Sequence, residues 1–271
     1  MKALLIACDF DGTITQRDTL HVIVEEFGER AVWDALEPQM RSGEITVEQA
    51  LQAEFDTVRA DPDAIHALVA ERAPIRSGFL DFARWAQDAG HELFVCSNGF
   101  RSVIAPVLQR AGLDRLEIVA NDARFGREGT QILWDARGER CELCRRPCKR
   151  APIRARAEGR PVVVIGDGIS DRCGAGLADI VFARAGLADD LAAQGCTFTP
   201  FDDFDDFSLY DRCITRGVLG SLLPVIYGNG LRITQNPESV AISYEMIHDT
   251  RIIPLDGRPA LDNGIRQWMG S

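Results

Sequence analysis

Three short segments, far apart in the chain, carry acidic or hydroxyl side chains directly after apolar runs. The first is D-F-D-G-T-I-T, Asp9 to Thr15, behind A-L-L-I-A-C at residues 3 to 8; it sets the carboxylates of Asp9 and Asp11 one residue apart, with the Thr13 hydroxyl close by. The second is C-S-N-G-F, residues 96 to 100, where Ser97, Asn98 and Gly99 offer a hydroxyl, an amide and backbone N–H groups of the kind that hold phosphoryl oxygens. In the third, V-V-V-I-G-D-G-I-S-D at residues 162 to 171, Asp167 and Asp171 follow a run through glycines that let a ligand approach the backbone. Any one of these is compatible with an ordinary polar turn. Together they supply carboxylates for a hard divalent cation and donors for an oxyanion, the equipment of phosphoryl transfer.

Periodicity identifies the elements that must position these residues. A-L-L-I-A-C, E-L-F-V-C (92 to 96) and P-V-V-V-I-G (161 to 166) are short, continuous and apolar, as parallel strands covered on both faces are. L-E-I-V-A (116 to 120) and D-I-V-F-A (179 to 183) are weaker examples. Helical periods fill residues 78 to 90 and 100 to 112, each ending in the glycine that follows a helix terminus. Strands alternating with helices predict an α/β fold with a doubly wound, Rossmann-like parallel sheet. Residues 18 to 75 break the alternation with consecutive amphipathic helices, around Leu20 to Phe27 and at 47 to 55. That insert follows the first strand, where an open α/β sheet has its ligand crevice, so a small mobile cap is expected, the alternative being a helical subdomain that does not move. The expected organisation is a catalytic core of 1–17 and 76–205, a cap of 18–75 and a tail of 206–271.

The order D-F-D-G-T, Ser97, a lysine and G-D-G-I-S-D resembles the haloacid dehalogenase superfamily, whose loops read DxDGT, S/T, K and GDxxxD; the likeness covers residues 1 to about 205. Lys149 in C-K-R-A-P-I best fits the lysine, although that residue is ordinarily solvated and Arg150 stands beside it. The resemblance implies Mg²⁺ held by the carboxylates of Asp9 and Asp167 and the backbone carbonyl of Asp11, with Asp171 supporting the metal or Lys149. It also implies that Asp9 attacks phosphorus to form an aspartyl phosphate, while Asp11 acts first as acid and then as base, which requires a raised pKa. Ser97 and Lys149 would hold the equatorial oxygens, with Thr13, Asn98 and Gly99 at the phosphate site. The expected reaction is magnesium-dependent hydrolysis of a phosphomonoester; a catalytically silent metal- or phosphate-binding module of the same fold is the rival.

The insert resembles the small cap of the phosphoserine phosphatase group, in subfamily IB. Asp18 stands where that group has an acid for the amino group, and Glu54 where it has an arginine for the carboxylate. A carboxylate at Glu54 would repel a carboxylate substrate. The plainer readings are a solvated helix face for Glu54 and a helix cap for Asp18. C-D-F-D-G-T-I-T, the cysteine-rich stretch ending in C-K and the segment Asp179 to Arg184 are similar to a methionine-salvage family that dephosphorylates 2-hydroxy-3-keto-5-methylthiopentenyl-1-phosphate. That likeness implies a small phosphorylated metabolite as the substrate, with phosphoserine as the alternative.

C-E-L-C-R-R-P-C-K spaces Cys141, Cys144 and Cys148 as C-x2-C-x3-C, which is a zinc half-site plus one. A structural Zn²⁺ takes four ligands, so the fourth must come from Cys173 or a histidine; thiols that stay reduced and pack are the plainer reading. A zinc hairpin could also touch nucleic acid through Arg145, Arg146, Lys149, Arg150, Arg154 and Arg156. The net charge of -11 opposes that.

The same acidity argues against nucleic acid or an anionic membrane as partner. No apolar run approaches the ~20 residues of a membrane span, and M-K-A-L-L-I-A-C-D-F is too short in its apolar part for a signal peptide, so a cytoplasmic location is expected. Past residue 207 the βα rhythm gives way to alternating apolar and polar residues with N-P and D-G turns, as in antiparallel strands. This tail resembles an internal segment of uncharacterised bacterial exported proteins. It is expected to be a foreign fragment, or else an accessory segment that covers a sheet edge or mediates a homodimer.

Overall fold

The computed structural model describes residues 3–135, 141, 142, 144, 148–207, 231–244, 249–255 and 257. Contacts divide the chain into two compact units, residues 1–206 and 207–271.

In the first unit seven strands form one sheet in the order β4-β3-β2-β1-β5-β6-β7. At its centre β1 (Leu5–Cys8) pairs in parallel with β2 (Glu92–Phe100) on one side and β5 (Val162–Gly166) on the other. The register sets Cys8 beside Val95 and Ile165, so the residues that follow these three positions leave the sheet along one edge. The winding direction reverses at β1, which is where an open α/β sheet forms its crevice. β3 (Glu117–Arg124), β6 (Ile180–Ala183) and β7 (Thr199–Pro200) extend the sheet in parallel, whereas β4 (Gln131–Leu133) runs antiparallel to β3. The sheet is therefore mixed at one edge. β2 also continues past its apolar run to Phe100, with an irregular register between Cys96 and Phe100 that bends Ser97 to Gly99 out of the ladder.

The central strands are fixed by burial. Leu5, Ala7, Phe94, Cys96, Val162 and Val164 form one apolar face, and Ile153 of α7 (Arg150–Ala157) packs on it. Each fully buried aliphatic side chain contributes roughly 1.5–3 kcal/mol, so a slip of one residue would carry a large penalty. Helices α5 (Phe79–Asp88), α6 (Arg101–Arg110), α8 (Arg172–Ala175) and α9 (Ala185–Ala193) complete the α/β layers.

The insert holds α1 (Thr19–Phe27), α2 (Arg30–Ser42), α3 (Val47–Phe55) and α4 (Pro62–Arg72). Asp18 caps α1 by accepting from Leu20 N at 2.8 Å and His21 N at 3.0 Å. Thr46 and Gln49 satisfy the start of α3 reciprocally. Leu20, Ile23, Leu51, Phe55 and Ile65 share an apolar cluster with Phe100, Val103 and Ile132 of the α/β layers. The Phe55 and Phe100 rings meet edge to face, 4.8 Å between centroids. Among the described side chains of α2 none is fully buried, so the insert has an anchored part, α1, α3 and α4, and a lightly held helix.

In the second unit β8 (Leu231–Gln235), β9 (Ser239–Tyr244) and β10 (Asp249–Pro254) form an antiparallel sheet, as the alternating pattern predicts. Asn236 shapes the first turn, its side chain accepting from Glu238 N at 2.9 Å and Ser239 N at 2.7 Å. Residues 208–230 and 258–271 of the tail lie outside the described residues, as do Arg145 and Arg146. No described helix is long and apolar enough to cross a membrane.

Candidate active site

Beyond Cys8 the chain turns sharply. Thr15 N donates to Phe10 O at 3.1 Å, and between them Gly12 adopts φ +74°. A Cβ at Gly12 would lie 2.3 Å from Asp167 Oδ2, so the position requires glycine for both conformation and space. Two guanidiniums hold the carbonyls of this turn: Arg76 donates to Thr13 O at 3.0 Å and Gly12 O at 2.9 Å, and Arg184 to Gly12 O at 2.6 Å. Arg76 and Arg184 were not candidates from the sequence. A guanidinium that serves only main-chain carbonyls leaves no motif, and the one available signal was the position of Arg184 directly after β6.

Asp9, Asp167 and Asp171 each bring a carboxylate oxygen within 4.8 Å of the others. Lys149 Nζ lies 2.6 Å from Asp9 Oδ1 and 2.7 Å from Asp171 Oδ1. Of the adjacent cations it is Lys149 that reaches the carboxylates, whereas Arg150 donates to the Cys173 carbonyl at 3.3 Å. Lys149 is 2% exposed and Asp9 6%. Thr13, fully buried, donates to Asp167 Oδ1 at 3.1 Å instead of opening into the cavity above. Gly168 N holds the second oxygen of Asp171 at 3.1 Å.

Three carboxylates, those of Asp9 and Asp171 buried and that of Asp167 half-buried, face one ammonium. Burial alone would lower the Lys149 pKa, but Asp171 and Asp9 outweigh it and raise it. Burial and Asp171 push Asp9 well up, against the pull of Lys149. The same two causes bring Asp167 to about 6. This surplus of negative charge, carried on oxygens that converge, fits a hard divalent cation such as Mg²⁺.

Asp11 stands apart from that cluster. Its Oδ2 accepts from Ser97 Oγ at 3.3 Å, and its Oδ1 from Thr19 N at 3.0 Å and from the Thr19 hydroxyl. Burial, helped by Asp18, raises its pKa to about 7. Ser97 Oγ in turn accepts from Gly99 N at 2.8 Å, and a Cβ at Gly99 would come within 2.6 Å of Asp11 Oδ2.

A cavity of about 550 Å³ opens over these groups. Asp9, Asp11, Ser97, Asn98, Gly99 and Asp167 line it, together with Trp33, Met40, Val47, Leu51 and Glu54 of the insert and a segment that includes Ile169, Arg172 and Asp190. Asp18 lines it as well while capping α1. Glu54 is 2% exposed, so it is no solvated helix face; burial, with Asp18, lifts its carboxyl to about 7. The one cation among the described lining residues, Arg172, is paired with Asp190. Of the cations named for a nucleic-acid contact, Lys149 is buried, Arg154 faces Glu142 at 3.5 Å and Arg156 pairs with Glu117.

A protein-family model described as haloacid dehalogenase-like hydrolase matches residues 6–175. A 2-hydroxy-3-keto-5-methylthiopentenyl-1-phosphate phosphatase of Brevibacillus brevis is 35% identical over 209 residues, 74% of this chain and 93% of the relative. A protein of the same name from Bacillus pumilus is 31% identical, across 76% of this chain and 90% of the relative. Among solved structures, a phospho-aspartyl intermediate analogue of phosphoserine phosphatase superposes with a TM-score of 0.61 at 20% identity, covering 79% of this chain and 100% of the other. That likeness is one of fold. Because the matched span carries the acidic turns, Lys149 and Asp171 that meet at the carboxyl edge of the sheet, the chain belongs to the haloacid dehalogenase-like hydrolase family.

Proposed function

We propose that this chain hydrolyses a small-metabolite phosphomonoester in a magnesium-dependent reaction, with Asp9 as the nucleophile. The observation that carries the reading is the pairing of a buried carboxylate, Asp9, with Lys149 at 2.6 Å, beside an acid, Asp11, whose pKa is raised to about 7. Asp9 and Asp167, with the backbone carbonyl of Asp11, would hold the Mg²⁺, and Asp171 would support it or Lys149. Bound there, the cation would screen the phosphate dianion from the carboxylates and stabilise charge on the phosphoryl oxygens.

Asp9 attacks phosphorus in line, the ester P–O bond breaks, and the protonated Asp11 gives its proton to the departing oxygen. Asp11, now ionised, takes a proton from water as that water attacks the aspartyl phosphate; the bond to Asp9 breaks and phosphate leaves. Lys149 offsets charge on Asp9, while Ser97 and the backbone N–H groups near Asn98 and Gly99 bind equatorial oxygens.

The cavity favours an ester whose far end is apolar or neutral, in keeping with the substrate named for the relatives, 2-hydroxy-3-keto-5-methylthiopentenyl-1-phosphate. Trp33, Met40 and Leu51 offer apolar contact, and Glu54 below its pKa can donate a hydrogen bond to a carbonyl or hydroxyl. Phosphoserine is disfavoured, because the one described lining cation is engaged by Asp190. Residues 18–75 would act as the cap, with α2 as the part that yields, and the tail from residue 206 as an accessory or foreign segment outside the chemistry.

Hydrolysis of p-nitrophenyl phosphate with and without Mg²⁺, by wild type and Asp9→Asn, tests the reading. Metal-dependent turnover that disappears in the variant is expected. Equal turnover in both proteins, or none in either across a panel of phosphorylated metabolites, would overturn it.

A further inference from the structure

Cys141, Cys144 and Cys148 precede α7, whereas Cys173 belongs to α8, beyond the last acidic turn. The sulfur of each lies within 4.8 Å of the other three. Cys173 is hydrogen-bonded to Cys144 and Cys141, and Cys148 to Cys141, so the thiols face one another. Cys141 is buried and the other three are half-buried.

We propose that these four cysteines form a structural zinc site, a tetrathiolate that ties the loop carrying Lys149 to the loop carrying Asp171. Packing alone gives little reason for three thiols that precede α7 and one from α8 to converge on one point, since S–H groups are weak donors and weak acceptors. A zinc ion gives a reason. Zn–S bonds of about 2.3 Å place tetrahedral sulfurs roughly 3.8 Å apart. From the observed cluster that spacing needs shifts on the order of 1 Å. The C-x2-C pair supplies one edge of the tetrahedron, Cys148 the third corner and Cys173 the fourth from across the turn. Binding releases the thiol protons to solvent and leaves a complex of net charge about −2. Arg150 lies beside it, 3.3 Å from the Cys173 carbonyl, and Arg145 and Arg146 stand between ligands in the sequence.

Position gives the metal its role. Cys148 is the residue before Lys149, and Cys173 is two beyond Asp171. Lys149 Nζ and Asp171 Oδ1, at 2.7 Å, thus hang from opposite sides of the cluster. Zinc here is a positioning group, since none of the four cysteines lines the substrate cavity. Only this effect on turnover rests on the proposed phosphatase reading; the metal site does not.

The test is metal content of the full chain after gel filtration without chelator, with cobalt(II) substitution as a spectroscopic readout of thiolate ligation. About one zinc per chain is expected, together with the thiolate charge-transfer band and intense visible bands of tetrahedral cobalt. Cys144→Ser and Cys173→Ser should lose both, whereas Cys196→Ser, at an exposed thiol outside the cluster, should keep them. Should the serine variants fail to fold, wild type treated with a zinc-selective chelator in excess Mg²⁺ serves instead: kcat should fall at least about tenfold with little change in KM and return on adding zinc. Metal-free protein whose four thiols all react with a thiol reagent, or a disulfide within the cluster of freshly purified protein, would overturn the site. Zinc bound to a chain with no phosphatase activity would instead leave the site standing and remove the catalytic reading.

Discussion

Lys149 Nζ stands 2.7 Å from Asp171 Oδ1, and both residues are 2% exposed. Asp171 thereby fixes the ammonium that also meets Asp9 at 2.6 Å. Removing one member of such a buried set leaves uncompensated charge, which costs about 3–5 kcal/mol. Lys149→Met should therefore lower stability by about 3 kcal/mol in metal-free buffer. Mg²⁺ should raise its Tm more than that of the wild type, since the cation then becomes the one counter-charge close to Asp9 and Asp171. Thermal melts with and without Mg²⁺ check this, and identical metal responses would count against the carboxylate cluster as the magnesium site.

Asp11 is separated from the carboxylate cluster and bonded to Ser97 and Thr19, in keeping with the proton-transfer role proposed for it. Asp11→Asn should depress hydrolysis of an alkyl phosphate by roughly 10²–10⁴, the usual span for a lost general acid. With p-nitrophenyl phosphate the leaving group needs no proton, so the first step should survive while the second lacks its base. A burst of about one p-nitrophenolate per chain followed by slow turnover is the expected trace. Equal losses on both esters, with no burst, would deny Asp11 the acid–base role.

Gly12 at φ +74° brings its backbone so close to Asp167 that a Cβ would sit 2.3 Å from Oδ2. Gly12→Ala should cost about 1–3 kcal/mol in backbone strain and displace Asp167 as well. The second effect is the diagnostic one: the Mg²⁺ concentration for half-maximal activity should rise, where a purely local strain would lower Tm alone. Titration of activity against Mg²⁺ separates the two.

The three turns that carry Asp9, Ser97 and Asp167 were legible because each follows a run of apolar residues long enough to mark a doubly covered strand, and β1, β2 and β5 are those strands. β4 and β7 were not legible: at 3 and 2 residues they are too short for any periodicity. β3 outruns its apolar stretch through Asn121 and Asp122, polar residues at positions where the sheet nears its edge. Glu54 could be named from the sequence, but its burial follows from the way α3 packs within the insert, which no spacing encodes. Arg76 was invisible for a different reason. Its partners are the carbonyls of Gly12, Thr13 and Thr15, and any residue type supplies a carbonyl.

Glu54 gives the chain a pH dependence whose sign can be worked out. Burial, with Asp18, sets its folded pKa at about 7, above the ordinary 4.5 expected when unfolded. The native state therefore holds the proton more tightly; the stabilisation is complete below the unfolded pKa and is lost as pH rises through about 7. Because Glu54 lines an open cavity and is not enclosed on all sides, the full shift overstates the effect and the loss is on the order of 1 kcal/mol. Asp11 and Asp167, raised in the same direction, add their own decline, so the informative quantity is a difference between proteins. Glu54→Gln keeps the shape and a hydrogen-bond donor but cannot ionise. Its Tm should fall less steeply than that of the wild type between about pH 5.5 and 8.5, and the KM of an anionic ester should climb more above neutrality in the wild type than in the variant. Parallel Tm curves would mean that the Glu54 carboxyl is better hydrated than its 2% exposure implies, and that substrate selection in this cavity depends on other groups.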